Sequence, residues 1–220
     1  MERVLEPEVM DTVAEAEAYD AMDHSLPNAA FLERLLALGA CGRVLDIGCG
    51  PGHIPLQLVA MTPDVEVCGV DLSKEMLRIA EEHRAVSPHA ERVSFRLGDA
   101  KGLEDQDDAF DTVCSNTILH HIPDPIPFLR EAWRVLRPGG VLLIRDLFRP
   151  ADHVTVARLV EKHSGDENDE ARELFRASLC AALTPAELEA AASAAGMAGV
   201  EVTVDSDRHM SLQTAMKATG

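Results

Sequence analysis

The sequence predicts an α/β fold, a doubly wound and mostly parallel sheet with helices on both faces. Three observations predict it. From Arg43 onward, short apolar runs alternate with helical stretches, the texture of successive βαβ units. Glycines stand directly between the first strand and its following helix, at Gly48, Gly50 and Gly52. Carboxylates fall at or near the C-terminal ends of the first three strands (Asp46, Asp71 and Asp99), where sheets of this class bind ligands.

Each element follows from local pattern. Residues 15–38 read as helical with a break at Leu26-Pro27-Asn28, and 29–36 carry apolar side chains at helical spacing. The first strand is 44–47, followed by the Gly-rich turn and a helix to about Met61. The second strand, 65–70, ends at Asp71, and Ser73 is placed to cap a helix running to about Val86. Residues 93–97 and 110–115 supply strands three and four. Asp124-Pro125 opens the next helix, with Pro at its first position, and Arg137-Pro138-Gly139-Gly140 stops it. The fifth strand, 141–146, is the most apolar and is expected at the centre of the sheet. An acidic helical insertion covers 152–182, interrupted near Ser164-Gly165-Asp166. Thr184-Pro185-Ala186-Glu187 forms a capping box opening a helix to about Ala195, and strands near 200–204 and 210–216 are set to pair as a hairpin.

Bulk properties bound the function. The 220 residues suit a single domain, and 46% hydrophobic content is ample for a core. A formal charge of −18 repels phosphate backbones, so nucleic acid is an unlikely partner. Five widely spaced cysteines without a C-x-x-C pair read as reduced, mostly buried thiols. The acidic first twenty residues lack a secretory apolar region, and no run approaches a membrane span. The expectation is a soluble, cytoplasmic protein; oligomeric state is not legible.

The glycine spacing is G-x-G-x-G, and position 53 is His53, where a dinucleotide fingerprint would place its third small residue. An acid two places before the first glycine suits a cationic amino group better than a pyrophosphate. Asp71 is placed to take two ribose hydroxyls; its plain alternative is a cap for the Ser73 helix. Three loops supplying one acid each fit a ligand carrying an amine, a ribose and an exocyclic adenine amine.

The run Val44-Leu45-Asp46-Ile47-Gly48-Cys49-Gly50-Pro51-Gly52 closely resembles the first motif of class I, Rossmann-like S-adenosylmethionine-dependent methyltransferases. The resemblance continues through Gly69-Val70-Asp71-Leu72-Ser73, Gly98-Asp99-Ala100, 110–116 and Leu136-Arg137-Pro138-Gly139-Gly140, covering about 43–147. It implies a seven-stranded sheet of order 3-2-1-4-5-7-6 with the seventh strand antiparallel. It also implies S-adenosylmethionine as cofactor and S-adenosylhomocysteine as product. Asp46 and the turn residues Gly48, Cys49, Gly50 and Gly52 would then meet the methionyl end, and Asp71 the ribose. Leu72 and Met76 would pack on adenine, Asp99 and Ala100 would meet its amino edge, and Asn116 would line the methyl-transfer site. In this scheme residues 1–42 form a helical cap and 43–147 the cofactor-binding core. Residues 148–182 are an insertion able to cover an acceptor, and 183–220 a C-terminal helix and hairpin.

Asn116-Thr117-Ile118-Leu119-His120-His121-Ile122-Pro123-Asp124 supplies candidate bases. Similar stretches are common in small-molecule members of the family, and an imidazole suits deprotonation of a hydroxyl, thiol or amine. His121 is weakly favoured over His120 as the site-facing ring; the alternative packs one in the core and hydrogen-bonds the other to the turn. Tyr19 and His24 are candidate lid contacts, and Arg149 a candidate for an acidic substrate group. No compact metal-ligand motif appears, so no metal is predicted. The reading is methyl transfer to a small-molecule acceptor. Its rivals are a non-catalytic cofactor-binding module, a protein methyltransferase, and a nicotinamide oxidoreductase disfavoured by Asp46 and the glycine spacing.

Overall fold

The structure is a computed structural model and describes residues 1–6 and 11–214. Seven strands form one sheet in the order β3-β2-β1-β4-β5-β7-β6. They are β1 (Gly42–Ile47), β2 (Val65–Asp71), β3 (Val93–Leu97), β4 (Phe110–Asn116), β5 (Leu136–Leu147), β6 (Val200–Val204) and β7 (His209–Thr214). Strands β1 to β5 are mutually parallel, and β7 runs antiparallel to both β5 and β6. The doubly wound architecture and strand order expected from sequence are therefore present. The 200–204 and 210–216 runs do pair as a hairpin; Met216 lies outside the described residues. Strand β5 is interior, one place from the central β4.

Side-chain alternation sends each strand into two cores. Leu45, Ile47, Val113, Leu142 and Ile144 pack against α5 (Pro125–Val135) and α8 (Pro185–Ala194), burying Phe128, Leu129, Ala132 and Leu188. Val44, Val67, Cys114 and Leu143 face the other way, onto α2 (Ser25–Ala37) and α3 (His53–Met61), through Phe31, Leu32, Leu35, Ile54 and Leu58. The helix α4 (Lys74–Ala85) takes its N-cap bond from Ser73, and α5 from Asp124, as their sequences indicate. A third cluster joins Leu147 to α6 (His153–Ser164) and α7 (Asp169–Ala181), the acidic insertion.

Three sequence expectations change. The N-terminal break falls between α1 (Val13–Asp20) and α2, while Leu26-Pro27-Asn28 lies inside the first turn of α2. A proline there costs little, because first-turn N–H groups have no helical partner. Arg137-Pro138-Gly139-Gly140 does not simply end α5 but begins β5. The register steps from Phe110↔Leu136 to Thr112↔Val141, so the extra residues bulge outward, with Gly139 at φ 76°. The cysteines are free, but only Cys49 and Cys114 are buried; Cys41 is exposed and Cys68 and Cys180 are intermediate. No helix among the described residues is long and apolar enough to cross a membrane.

Candidate active site

Strand β1 pairs with β2 on one side and β4 on the other, so the chain reverses direction of winding at its C-terminal end. Crevices at such points receive ligands. Ser115 Oγ donates to Ile47 carbonyl oxygen at 2.7 Å and fastens the two strand ends there. The turn after β1 is held by Val70 of β2, whose carbonyl accepts from Gly48 N–H at 2.7 Å and Cys49 N–H at 3.1 Å. Gly48 has φ 73°, and a Cβ there would come within 2.5 Å of Ile118, so both conformation and space require glycine. Helix α3 then starts from Gly52 with no side-chain cap, leaving its first-turn donors available to an anion.

Asp46 is 2% exposed. Burial pushes its pKa up to about 7; the Cys114 thiol, donating to Oδ1 at 3.6 Å, works against that rise, and Asp71 adds repulsion. Asp71 accepts from Gly50 N–H at 2.8 Å and Ser73 N–H at 2.9 Å. Its pKa is raised by burial and restrained by these backbone donors. Both carboxylate oxygens keep lone pairs beyond those bonds. Asp71 thus caps the Ser73 region and also ties the Gly-rich turn to β2.

Tyr19, at the end of α1, lies over this turn: a Cβ on Gly50 would be 3.9 Å from its Cε1. The ring is half-buried. Its hydroxyl pKa rises to about 12, first because burial disfavours the phenolate, then because Asp71, Asp146 and Asp46 all repel it, against a bond with Thr117. The three carboxylates that act on this hydroxyl come from β1, β2 and β5. Thr117 itself has φ 61°, a left-handed conformation that is uncommon without glycine and that recurs at functional sites. His24 donates from Nε2 to the Tyr19 carbonyl oxygen at 2.8 Å, and its ring lies 4.5 Å from the Tyr19 ring.

The two histidines follow β4 in a short 3₁₀ turn. His120 is 4% exposed and is bonded twice to Asp146, through its own N–H at 3.1 Å and Nδ1 at 2.6 Å. Its Nε2 lies 3.3 Å from Glu6 Oε1, and His121 Nδ1 lies 3.2 Å from the same oxygen. Burial would lower the His120 pKa, but the Asp146 charge and hydrogen bond, with Glu6, raise it overall. Glu6 is itself raised, by burial first. An N-terminal strap positions Glu6: Arg3 donates to the carbonyl oxygens of Ala181, Pro123, His120 and Ile122, and Val4 N–H bonds Cys180 carbonyl oxygen at 3.1 Å.

The other candidates sort by position. Leu72 is 39% exposed at the end of β2, whereas Met76 is buried with Ile79 under Ala16 of α1, so with α1 in this place it faces the lid. Ala100 packs on the core, and Asp99 is half-exposed, its Oδ1 3.0 Å from Lys101 Nζ. Asn116 ends β4, opposite Arg145 in register. Arg149 is corrected. Its guanidinium bonds Glu187 Oε1 at 2.6 Å and the carbonyl oxygens of Ala182 at 2.7 Å and Met1 at 3.2 Å, so it is a framework cation rather than a receptor for an acidic substrate. Sequence reasoning passed over Glu6, Thr117 and the pairing of Asp146 with His120. Only Asp146 left a signal, its place at the end of β5.

Residues 40–198 match the model of a methyltransferase domain. The chain belongs to that family. The resemblance to class I S-adenosylmethionine-dependent methyltransferases holds, and the family's methyl donor is S-adenosylmethionine. The 27-O-demethylrifamycin SV methyltransferase of Amycolatopsis mediterranei is 40% identical over 115 residues, 52% of this chain and 42% of that protein. The ubiquinone/menaquinone biosynthesis C-methyltransferase of Geobacter sulfurreducens is 31% identical over 148 residues, 60% and 58% of the two chains. Among solved structures, Haemonchus contortus phosphoethanolamine N-methyltransferase 2 in complex with S-adenosyl-L-methionine superposes with TM-score 0.68 and 26% identity, over 87% of this chain and 43% of that one. A methyltransferase from Aquifex aeolicus, 18% identical, matches in fold over 94% of this chain and 100% of its own, with TM-score 0.68. The methyltransferase domain described here spans between about two-fifths and two-thirds of the length of the curated relatives it matches.

Proposed function

We propose that this chain moves the methyl group of S-adenosylmethionine to a nucleophilic atom of a small-molecule acceptor by direct S_N2 displacement, with His120 as general base. The observation that carries the reading is the glycine turn after β1, tied to Asp71 through Gly50 N–H and overlain by Tyr19, beside the buried Asp46. Bound there, the donor supplies an electrophilic methyl carbon whose bonding pair returns to sulfur, leaving S-adenosylhomocysteine. Asp46 and the turn of Gly48, Cys49, Gly50 and Gly52 receive the methionyl end, Asp71 the ribose, Leu72 with Met76 an adenine face, and Asp99 with Ala100 its amino edge. Asn116 lines the transfer site, and Tyr19 and His24 cover it.

An acceptor whose nucleophile carries a proton needs a base, and the geometry offers one. Asp146 accepts the His120 Nδ1 proton, which leaves the Nε2 lone pair for the acceptor proton. Glu6 now stands at Nε2, in the position an acceptor hydroxyl or amine would take. His121, the ring favoured from the sequence, shares Glu6 and takes a supporting role here, because it is His120 that Asp146 orients. Alignment and water exclusion supply the rest, up to ~7–11 kcal/mol in favourable cases.

Calorimetric titration with S-adenosylmethionine and S-adenosylhomocysteine tests the donor half; absence of binding by the folded chain would sink it. A screen of small metabolites for S-adenosylhomocysteine release tests the acceptor half. With an acceptor in hand, His120→Ala should slow turnover about 10²–10⁴-fold while donor affinity is kept. Turnover should fall as pH drops below the raised His120 pKa, because the protonated ring accepts nothing. Unchanged turnover would remove His120 as the base. Donor binding with no release on any acceptor would favour a binding-only module.

A further inference from the structure

We infer that Asp20, His53 and His83 form a site for one divalent transition-metal ion, which pins α1 across the Gly-rich turn. The three residues come from three elements: the last residue of α1, the first of α3 and the last turn of α4. One ligand atom from each lies within 4.8 Å of the others. Asp20 Oδ1 is 2.9 Å from His53 Nε2, and Asp20 Oδ2 is 3.4 Å from His83 Nε2. Tetrahedral bonds of about 2.0–2.1 Å set neighbouring ligand atoms roughly 3.3 Å apart, so small side-chain adjustments bring the set to bonding range.

Three further features point to a metal. His83 Nδ1 donates to the Pro51 carbonyl oxygen at 2.9 Å, and this bond turns Nε2 toward Asp20, the orientation of a ligand imidazole held through its other nitrogen. Asp20 Oδ1 is buried and accepts no hydrogen bond of good geometry, although His53 Nε2 stands at contact distance. The His53 and His83 rings stack with centroids 5.1 Å apart, and both turn Nε2 toward the Asp20 carboxylate. Two imidazoles and one carboxylate suit Zn²⁺ or Co²⁺ rather than Ca²⁺ or Mg²⁺. Side-chain exposures of 25–33% give the ion a route in and leave a coordination position for water.

The test uses the full chain, stripped with a chelator and titrated with Zn²⁺ alone, then with Co²⁺ while the visible absorption is followed. The expected result is one ion per chain, with the d–d bands of four- or five-coordinate Co²⁺. Asp20→Asn and His83→Gln, checked for unchanged circular dichroism, should each weaken binding about 10–100-fold or more. Glu6→Gln, which alters the other histidine–carboxylate cluster, should leave binding unchanged. Zn²⁺ should also slow amide exchange in 13–20 about tenfold or more in the wild type and not in His83→Gln. Absence of binding overturns the site, as does binding lost in Glu6→Gln and kept in His83→Gln. In either case the cluster is a polar latch between α1, α3 and α4. None of these readouts depends on methyl transfer.

Discussion

Asp46 is the residue whose charge state should change most when the donor binds. Sealed from solvent beside Asp71, it has its pKa pushed up to about 7. At pH 6 about nine chains in ten should therefore carry a proton on it, while the α-ammonium of the donor, with a pKa near 8, is fully charged. Binding that ammonium stabilises the ionised carboxylate, so about 0.9 proton should leave for each donor bound at pH 6. Titrations at that pH in buffers of different ionisation enthalpy give the number from the slope of apparent enthalpy. Asp46→Asn should release none and bind more weakly. The unliganded protein carries the matching signature. A carboxyl whose folded pKa is above its unfolded value of 3.8 supports the fold most when protonated, below about pH 4. That support is lost as pH rises toward about 7, by up to about 4 kcal/mol at ~1.4 kcal/mol per unit. Without ligand, Asp46→Asn should consequently melt higher than wild type at pH 8. Equal proton release in wild type and Asp46→Asn would refute both the assignment and the electrostatic argument.

Other substitutions separate donor binding from framework. Asp71→Ala removes an acceptor from the turn and from the proposed ribose position and should weaken donor binding about 10–100-fold, read by the same calorimetry. Gly48→Ala should destabilise by about 1–3 kcal/mol, since its Cβ meets Ile118 at 2.5 Å on a left-handed backbone. The melting temperature should fall by about 2–4 °C per kcal/mol. Arg3→Ala leaves four carbonyl oxygens without their cation and should cost about 1–3 kcal/mol in chemical denaturation. An unchanged midpoint would show that the strap contributes nothing.

Local signals in the sequence carried most of the fold. Alternating apolar runs found the strands, and Ser73, Asp124 and Thr184 marked helix starts that the structure keeps. The signals failed where a local rule had two outcomes. Pro27 breaks a helix interior yet suits a first turn, and Arg137-Pro138-Gly139-Gly140 reads equally as a helix stop or a bulged strand start. Within the candidate site, Asp46 and Asp71 were legible because strand ends are short-range features. The partners of the histidines were not. Asp146 reaches His120 through sheet pairing, Glu6 through the strap, and His53 meets His83 only after two βα crossovers stack. Spacing along the chain holds no record of such meetings.

The position of Tyr19 has a kinetic consequence. Its ring covers the glycine turn, and its hydroxyl reaches Thr117 across the space bordered by Asp46 and Asp71. Under the proposed function, exchange of donor for spent donor requires α1 to lift once in every catalytic cycle. A lid of this kind enforces an order, with donor entering first and S-adenosylhomocysteine leaving last. Product should therefore appear in a rapid burst on the first turnover, followed by a slower steady rate set by reopening.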